Sequence, residues 1–158
     1  MTDDADAAIV EALQEAYYAE IESAMNYLSN GLALEGVRGE ELGTHLTADF
    51  QEEMAHAQEI AEHLDYAYDV VVIDAFGFTP TQSYLECDGQ YKSTGAEFVP
   101  VLEAVVQAEE EAIQMYRNLA ALADDANRYE TRALAERLLD DELHHRDEFE
   151  SFLQEYRS

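Results

Sequence analysis

The sequence predicts an all-α protein, an antiparallel four-helix bundle with one long crossover between helices 2 and 3. Four stretches repeat apolar residues at steps of three and four, which is the period of an amphipathic helix. Two connections are short enough to make helical hairpins, whereas the middle one runs for about thirty residues. A connection of that length can cross the length of a bundle. We expect one domain over residues 1–158, with hairpins at about 5–64 and 99–156 and a crossover at about 65–98.

Each predicted helix has its own apolar stripe. The stripe of the first helix covers residues 9–31, and that of the second covers residues 46–64. The third covers residues 100–119 and opens at Pro100, because proline is favoured in the first helical turn. The fourth covers residues 131–152.

The connections hold the helix-breaking residues. We expect GVRGEELG to join helices 1 and 2, and ADDAN to join helices 3 and 4. The crossover contains the β-branched run VVVID, then GFTPT and CDG. Its Cys87 is the single cysteine of the chain, which excludes an internal disulfide and a Cys-x-x-Cys metal site. We expect a packed or exposed free thiol there.

Composition excludes several classes of partner. The 158 residues include 36 acidic and 8 basic ones, so the formal charge is −28. Phosphate backbones and anionic membranes attract basic patches, so we expect neither nucleic acid nor membrane as a partner. Acidic residues spread along the whole chain are typical of extreme halophiles, although a merely solvated surface or an acidic partner site gives the same pattern. The opening MTDDADAA lacks a signal-peptide pattern and the longest apolar run, residues 70–73, is too short to span a membrane, so we expect a cytoplasmic protein.

An internal repeat is the most informative feature. Four residues recur with a shift of 89 positions, so both halves have the pattern Glu-x6-Tyr-x25-Glu-x2-His. The first half supplies Glu20, Tyr27, Glu53 and His56, and the second supplies Glu109, Tyr116, Glu142 and His145. The repeat indicates two equivalent helical hairpins.

The repeated glutamates lie inside the apolar stripes, whereas Glu22, Glu52, Glu110 and Glu111 lie off them. A carboxylate that faces a core is costly unless it is paired or bound to metal, and four of them would repel one another. In each hairpin the two glutamates are equidistant from the turn, and the histidine follows one helical turn later. We predict that six residues, called the six-residue set below, converge at mid-bundle: Glu20, Glu53, His56, Glu109, Glu142 and His145.

Four carboxylates and two imidazoles predict a dinuclear metal site. Oxygen-rich ligation favours iron, with manganese as the alternative, over zinc or copper. We expect Glu53 and Glu142 to bridge the two ions and Glu20 and Glu109 to be terminal ligands. The alternative is a buried polar network without metal.

Four further residues are candidates for supporting the site. Tyr27 and Tyr116 lie seven positions from Glu20 and Glu109 on the same faces, so their hydroxyls could bond ligand carboxylates; ordinary core packing is the alternative. Glu52 and Asp141 each precede a ligand histidine by four residues and are candidate acceptors for its second ring nitrogen, with the pairing left open. The other three histidines, His45, His63 and His144, are expected to be solvated.

The segments EIESAMNY, EEMAHA, EEEAIQMY and DDELHHRDEFE resemble the four ligand segments of bacterioferritins, rubrerythrin erythrin domains and Dps-like archaeal mini-ferritins. The resemblance covers the whole bundle, and GFTPT is similar to the GGTPT of some relatives. It implies a ferritin-like fold and a ferroxidase that oxidises Fe(II) with O2 or H2O2 for iron storage and detoxification. The six-residue set would then be catalytic and would bind two iron ions. A non-storage di-iron or di-manganese peroxidase of the rubrerythrin kind, and a metal-free interaction module, are the alternatives.

The chain also departs from these relatives. One cysteine cannot supply the rubredoxin module of rubrerythrins, and the chain has neither the Lys-rich arm nor the intersubunit site of Dps proteins. Only thirteen residues follow His145, so we expect a homo-oligomer that is a dodecameric cage or a dimer rather than a 24-subunit cage. Met54 occupies the position at which bacterioferritins bind haem, with a surface or interface methionine as the alternative.

Overall fold

The computed structural model describes residues 4–72 and 98–158, and they form four long helices. The helices are α1 (Asp4–Ala33), α2 (Gly36–Tyr68), α3 (Phe98–Asp125) and α4 (Tyr129–Arg157). The prediction of an all-α four-helix bundle is confirmed. None of the helices described is long and apolar enough to cross a membrane.

The prediction that GVRGEELG forms the first connection is wrong. This segment begins α2, and only Leu34 and Glu35 connect the two helices. Gly36 has φ 80°, a left-handed backbone that favours glycine at the tight reversal. Gly43 serves packing rather than a turn, because a Cβ there would lie 2.7 Å from the backbone oxygen of Gly31.

The second hairpin turns where the sequence predicts. Helix α3 includes the first three residues of ADDAN and ends at Asp125. Asn127 has φ 57°, and the flanking amides bond back to the helix end, with Asn127 N donating to Asp124 O and Arg128 N to Ala123 O. These two bonds make a Schellman motif, which terminates the helix and reverses the chain. The proline predicted in the first turn of α3, Pro100, is found there.

The expected crossover overlaps the described residues at both ends. Helix α2 extends to Tyr68, where Asp69 in a left-handed conformation ends it. The segments GFTPT and CDG, with Cys87, lie outside the described residues, as does the end of VVVID.

Side-chain pairs across the bundle show that the hairpins pack antiparallel. Between α1 and α3, Tyr27 bonds Glu109 and Tyr116 bonds Glu20, so the partner number falls as the residue number rises. Polar contacts between α2 and α4 run in the same antiparallel sense, from His45 with Glu148 to His63 with Thr131.

The apolar core is divided into two clusters along the bundle. One contains Ile9, Leu13, Ala16, Ile60, Leu64, Tyr116, Leu119, Ala135 and Leu138. The other contains Tyr27, Leu34, Leu42, Leu46, Val101, Leu102, Val105, Phe149 and Leu153. On each helix, the members of the six-residue set lie between the residues of one cluster and those of the other.

Candidate metal centre

All four repeated glutamates are buried at mid-bundle. Glu20 is 2% exposed, and Glu53, Glu109 and Glu142 are 1% exposed each. Each helix contributes one of them, because each sits on the apolar stripe of its own helix. The two histidines are buried with them, and their ring centroids lie 6.2 Å apart.

The six-residue set forms two overlapping groups. One consists of Glu20, Glu53, His56 and Glu142, and the other of Glu53, Glu109, Glu142 and His145. Within each group, one candidate ligand atom per residue lies within 4.8 Å of the others. Glu53 and Glu142 belong to both groups, whereas each terminal glutamate and each histidine belongs to one.

The Nδ1 atoms of both histidines face this shared centre. Nδ1 of His56 lies 3.1 Å from Glu142 Oε1, 3.4 Å from Glu53 Oε2 and 3.7 Å from Glu20 Oε2. Nδ1 of His145 lies 3.4 Å from Glu53 Oε1, 3.6 Å from Glu142 Oε2 and 3.9 Å from Glu109 Oε2. The two halves of the sequence repeat thus become two equivalent halves of one site.

Several inward atoms have no hydrogen-bond partner within residues 4–72 and 98–158. They are both carboxylate oxygens of Glu53, Oε1 of Glu142, and Nδ1 of His56 and His145. Buried polar atoms without partners are rare, since each forfeits its hydration. All five can donate an electron pair, so this donor set fits cations placed between them.

The electrostatics of the set also favour cations. Burial raises the pKa of Glu20 and of Glu109 well above its usual value, and the nearby charges of Glu53 and Glu142 raise it further. Burial opposes protonation of His56 and His145, but the surrounding carboxylates outweigh this and raise both imidazole pKa values. Without metal, therefore, protons compensate the buried negative charge, and bound cations would displace them.

Tyr27 and Tyr116 each join the two hairpins at a terminal glutamate. Tyr27 donates its hydroxyl hydrogen bond to Glu109 Oε1, and Tyr116 donates to Glu20 Oε1. Both side chains are fully buried, and burial followed by the adjacent carboxylate raises each phenol pKa well above its usual value. The phenols therefore remain protonated donors while their rings pack in the two apolar clusters.

The outer ring nitrogens contact carboxylates of the opposite hairpin. Nε2 of His145 lies 2.8 Å from Glu52 Oε2, and Nε2 of His56 lies 3.2 Å from Asp141 Oδ2. Arg137 in turn bonds Asp141 at 3.1 Å. This resolves the pairing that the sequence left open, because each histidine is served by the other hairpin rather than by its own helix.

Comparison with known proteins adds the family. The family model of the ferritin-like domain matches residues 10–158. The chain belongs to the ferritin-like family. No curated protein matches the sequence significantly.

Three solved structures share the fold of this ferritin-like chain. The bacterioferritin-related dodecameric thioferritin of Bacteroides fragilis has a TM-score of 0.78 at 24% identity, covering 94% of this chain and 85% of that one. A ferritin-like diiron-carboxylate protein of Bacillus anthracis has a TM-score of 0.74 at 23% identity, covering 97% of this chain and 99% of that one. The bacterioferritin of Rhodobacter capsulatus, solved with a metal-free dinuclear site and haem iron, has a TM-score of 0.78 at 19% identity. The match covers 99% of this chain and 89% of that one.

The prediction that three further histidines are solvated is correct for His144 alone, which is exposed. His63 is half-buried and its Nε2 lies 2.8 Å from Thr131 Oγ1, because α4 packs over this part of α2. His45 is also half-buried, since the early start of α2 places it inside the helix, where it lies 3.3 Å from Glu148 and packs against Phe152. Met54 is 41% exposed and lies outside the buried set.

Two acidic residues are buried although the apolar stripes of the sequence do not predict it. Glu22 is buried although it lies off the apolar stripe, because α1 buries Glu20, Glu22, Ser23 and Ala24 in near succession and so is covered on more than one side. Asp49 is buried one helical turn before Glu53, and burial raises its carboxyl pKa to about 7. The i, i+4 spacing of Asp49 to Glu53 is the signal that could have found it.

Proposed function

We propose that the chain is a ferroxidase of the ferritin-like family, which oxidises Fe(II) with O2 or H2O2 at a dinuclear centre formed by the six-residue set. The observation that carries the proposal is that Glu53 and Glu142 lie in both candidate ligand groups while their inward oxygens lack hydrogen-bond partners within the described chain. Two metal ions sharing two carboxylates fit that arrangement.

Charge balance supports two divalent cations rather than one. Four carboxylates with two neutral imidazoles carry a charge of −4, and two Fe(II) neutralise it. A site this deeply buried requires such neutrality, because uncompensated charge in a low-dielectric interior is costly.

The electron count fits the proposed oxidants. Two Fe(II) supply two electrons, which reduce O2 to H2O2 or H2O2 to water with uptake of two protons. Manganese accepts the same oxygen-rich donor set and is the alternative metal.

The outer contacts prepare both histidines to bind. An Nε2–H that donates to Glu52 or Asp141 leaves the lone pair on Nδ1, and Nδ1 is the atom that faces the centre. Glu52 and Asp141 therefore fix the tautomer and hold the ring.

Tyr27 and Tyr116 position the terminal carboxylates. Each hydroxyl occupies one oxygen of Glu109 or Glu20 and leaves the other for a cation. Because the bonds cross from one hairpin to the other, they also fix the distance between the two halves of the site.

We further propose that the chain acts as a cytoplasmic homo-oligomer, either a dodecameric shell or a dimer, in a high-salt cell. The dodecameric assembly of the Bacteroides fragilis protein supports the shell. The formal charge of −28 supports the salt-adapted setting. We also propose that haem can bind at the half-exposed Met54. An absorbance spectrum without a Soret band, after expression with a haem supply, would contradict haem binding.

Anaerobic titration with Fe(II), followed by exposure to air, tests the proposal. We expect about two Fe(II) per chain to bind before oxygen is admitted. The variant E53Q/E142Q should lose this binding and the oxidation, while Glu150→Gln, an exposed acid on the same helix as Glu142, should keep both. Unchanged oxidation in E53Q/E142Q would contradict the proposed centre.

The same titration separates storage from the alternative function. Repeated additions of Fe(II) in air should give oxidised iron far beyond what the dinuclear centre holds, and light scattering should detect a shell. Saturation at the capacity of the centre, in a particle the size of a dimer, would favour the non-storage peroxidase.

A further inference from the structure

The outer contacts of the two histidines are not equivalent, although the carboxylates that make them are related by the sequence repeat. Glu52 and Asp141 stand 89 positions apart, which is the shift of the repeat. Nε2 of His145 lies 2.8 Å from Glu52 Oε2, whereas Nε2 of His56 lies 3.2 Å from Asp141 Oδ2. The two halves of the site therefore differ in this outer layer, while their inner ligands match.

Arg137 contacts one of these two outer carboxylates. Its Nη1 donates a hydrogen bond of 3.1 Å to Asp141 Oδ2, which is the same oxygen that lies next to Nε2 of His56. Its Nη2 donates to Glu59 on α2, so two carboxylates hold the guanidinium in place. The imidazole and the guanidinium therefore share a single oxygen of Asp141.

The sequence repeat provides no arginine for the other half of the site. A shift of 89 positions relates Arg137 to Ala48, which carries no charge. In the described part of the chain, the one ion pair of Glu52 is with His145. The carboxylate of Asp49 is also buried near His145 and adds to the negative charge on this side.

We propose that Arg137, acting through Asp141, makes the two metal positions unequal, so that the position beside His145 fills first. A carboxylate that accepts the Nε2–H bond of a ligand histidine makes the imidazole a stronger donor to the metal. The guanidinium bonds the same oxygen of Asp141 and offsets its charge, so His56 gains less donor strength. Glu52 has no such competitor, so His145 gains the full effect. Arg137 is thus a positioning residue, and the inference rests on the proposed function because it concerns the same centre.

Anomalous diffraction at the cobalt edge, from crystals of the intact chain given a substoichiometric amount of Co(II), tests the order of filling. Co(II) stands in for Fe(II) as a neighbouring divalent metal. We expect the occupancy beside His145 to exceed that beside His56 by about tenfold, the lower limit of the effect that an outer-shell partner has on metal affinity. Equal occupancies would overturn the inference and leave the dinuclear centre in place. Absence of Co(II) between Glu53 and Glu142 would contradict the proposed function and this inference with it.

Two variants test whether the charge of Arg137 causes the preference. Arg137→Ala should bring the two occupancies closer together, because Asp141 then keeps its full charge beside His56. Glu59→Gln is the matched control, since it removes the ion pair that Arg137 makes with α2 but leaves the bond to Asp141, and the preference should persist. An unchanged preference in Arg137→Ala, or its loss in Glu59→Gln, would overturn the inference.

A third variant transfers the arginine to the other half of the site. Ala48 is exposed and precedes Glu52 by four residues. The same spacing joins Arg137 to Asp141 on α4. Ala48→Arg should therefore place a guanidinium beside Glu52 and lower the occupancy beside His145, and adding Arg137→Ala should lower it further. Wild-type occupancies in Ala48→Arg would contradict the inference.

Discussion

Replacing Tyr27 with phenylalanine should destabilise the metal-free protein while leaving its core packing intact. The ring of Tyr27 is fully buried and lies 6.2 Å from the ring of Phe149, and phenylalanine preserves this contact. The substitution removes only the hydroxyl, and thus the hydrogen bond to Glu109 Oε1. Leaving a buried acceptor without its donor costs about 1–3 kcal/mol, and Glu109 is 1% exposed, so we expect a loss within that range.

Urea denaturation of the metal-free protein, followed by circular dichroism, measures this loss. Tyr116→Phe should cost a similar amount, because Tyr116 makes the equivalent bond to Glu20. Tyr66→Phe is the matched control, since Tyr66 is 85% exposed, and it should change the free energy of unfolding by less than about 0.5 kcal/mol. A Tyr27→Phe variant as stable as the Tyr66→Phe control would refute the positioning role given to the hydroxyl.

Three further predictions concern packing, pH and salt. Gly43→Ala should destabilise the fold by about 1–3 kcal/mol in urea denaturation, because its Cβ would lie 2.7 Å from the backbone oxygen of Gly31. The control Thr44→Ala, at an exposed position, should have little effect, and equal stability of the two variants would contradict the close approach of the two helices. Fe(II) affinity measured anaerobically should fall as pH is lowered from 7.5 to 5.5, because the raised carboxyl pKa values of Glu20 and Glu109 let protons compete with the metal. The fall should be about tenfold per pH unit for each proton that binding displaces, and an affinity that does not change with pH would contradict this competition. The melting temperature should rise between 0.1 M and 2 M NaCl, because the screening length shortens from about 10 Å to below about 3 Å and the acidic residues behind the charge of −28 repel one another less. A melting temperature that falls would contradict the interpretation of the surface as adapted to salt.

The sequence repeat carries most of the information about the site. Helical periodicity places Glu20, Glu53, Glu109 and Glu142 on apolar stripes, and the structure buries all four at mid-bundle. The repeat shift of 89 positions implies two equivalent halves, and the structure shows them in the parallel contacts of His56 and His145. Periodicity succeeds here because these residues depend only on the face of their own helix.

The features that the sequence left open or did not predict depend on how the helices pack. Glu52 lies four residues before His56 but contacts His145, since the partner is chosen by the antiparallel arrangement of α2 and α4. The glycines of GVRGEELG are typical of a turn, yet this segment belongs to α2. Position 43 is glycine because the close approach of Gly31 excludes a larger side chain. Asp49 was missed because the stripe of α2 was traced through Phe50 to Glu53, and the residue four positions before Glu53 was not included.

Anomalous diffraction at the iron edge, from crystals loaded anaerobically with Fe(II), tests whether the six-residue set binds two iron ions. We expect two iron peaks about 3.5–4 Å apart, both within coordination distance of Glu53 and Glu142 and each beside one of the two histidine Nδ1 atoms. Iron found only at exposed acids, or no iron between Glu53 and Glu142, would contradict it.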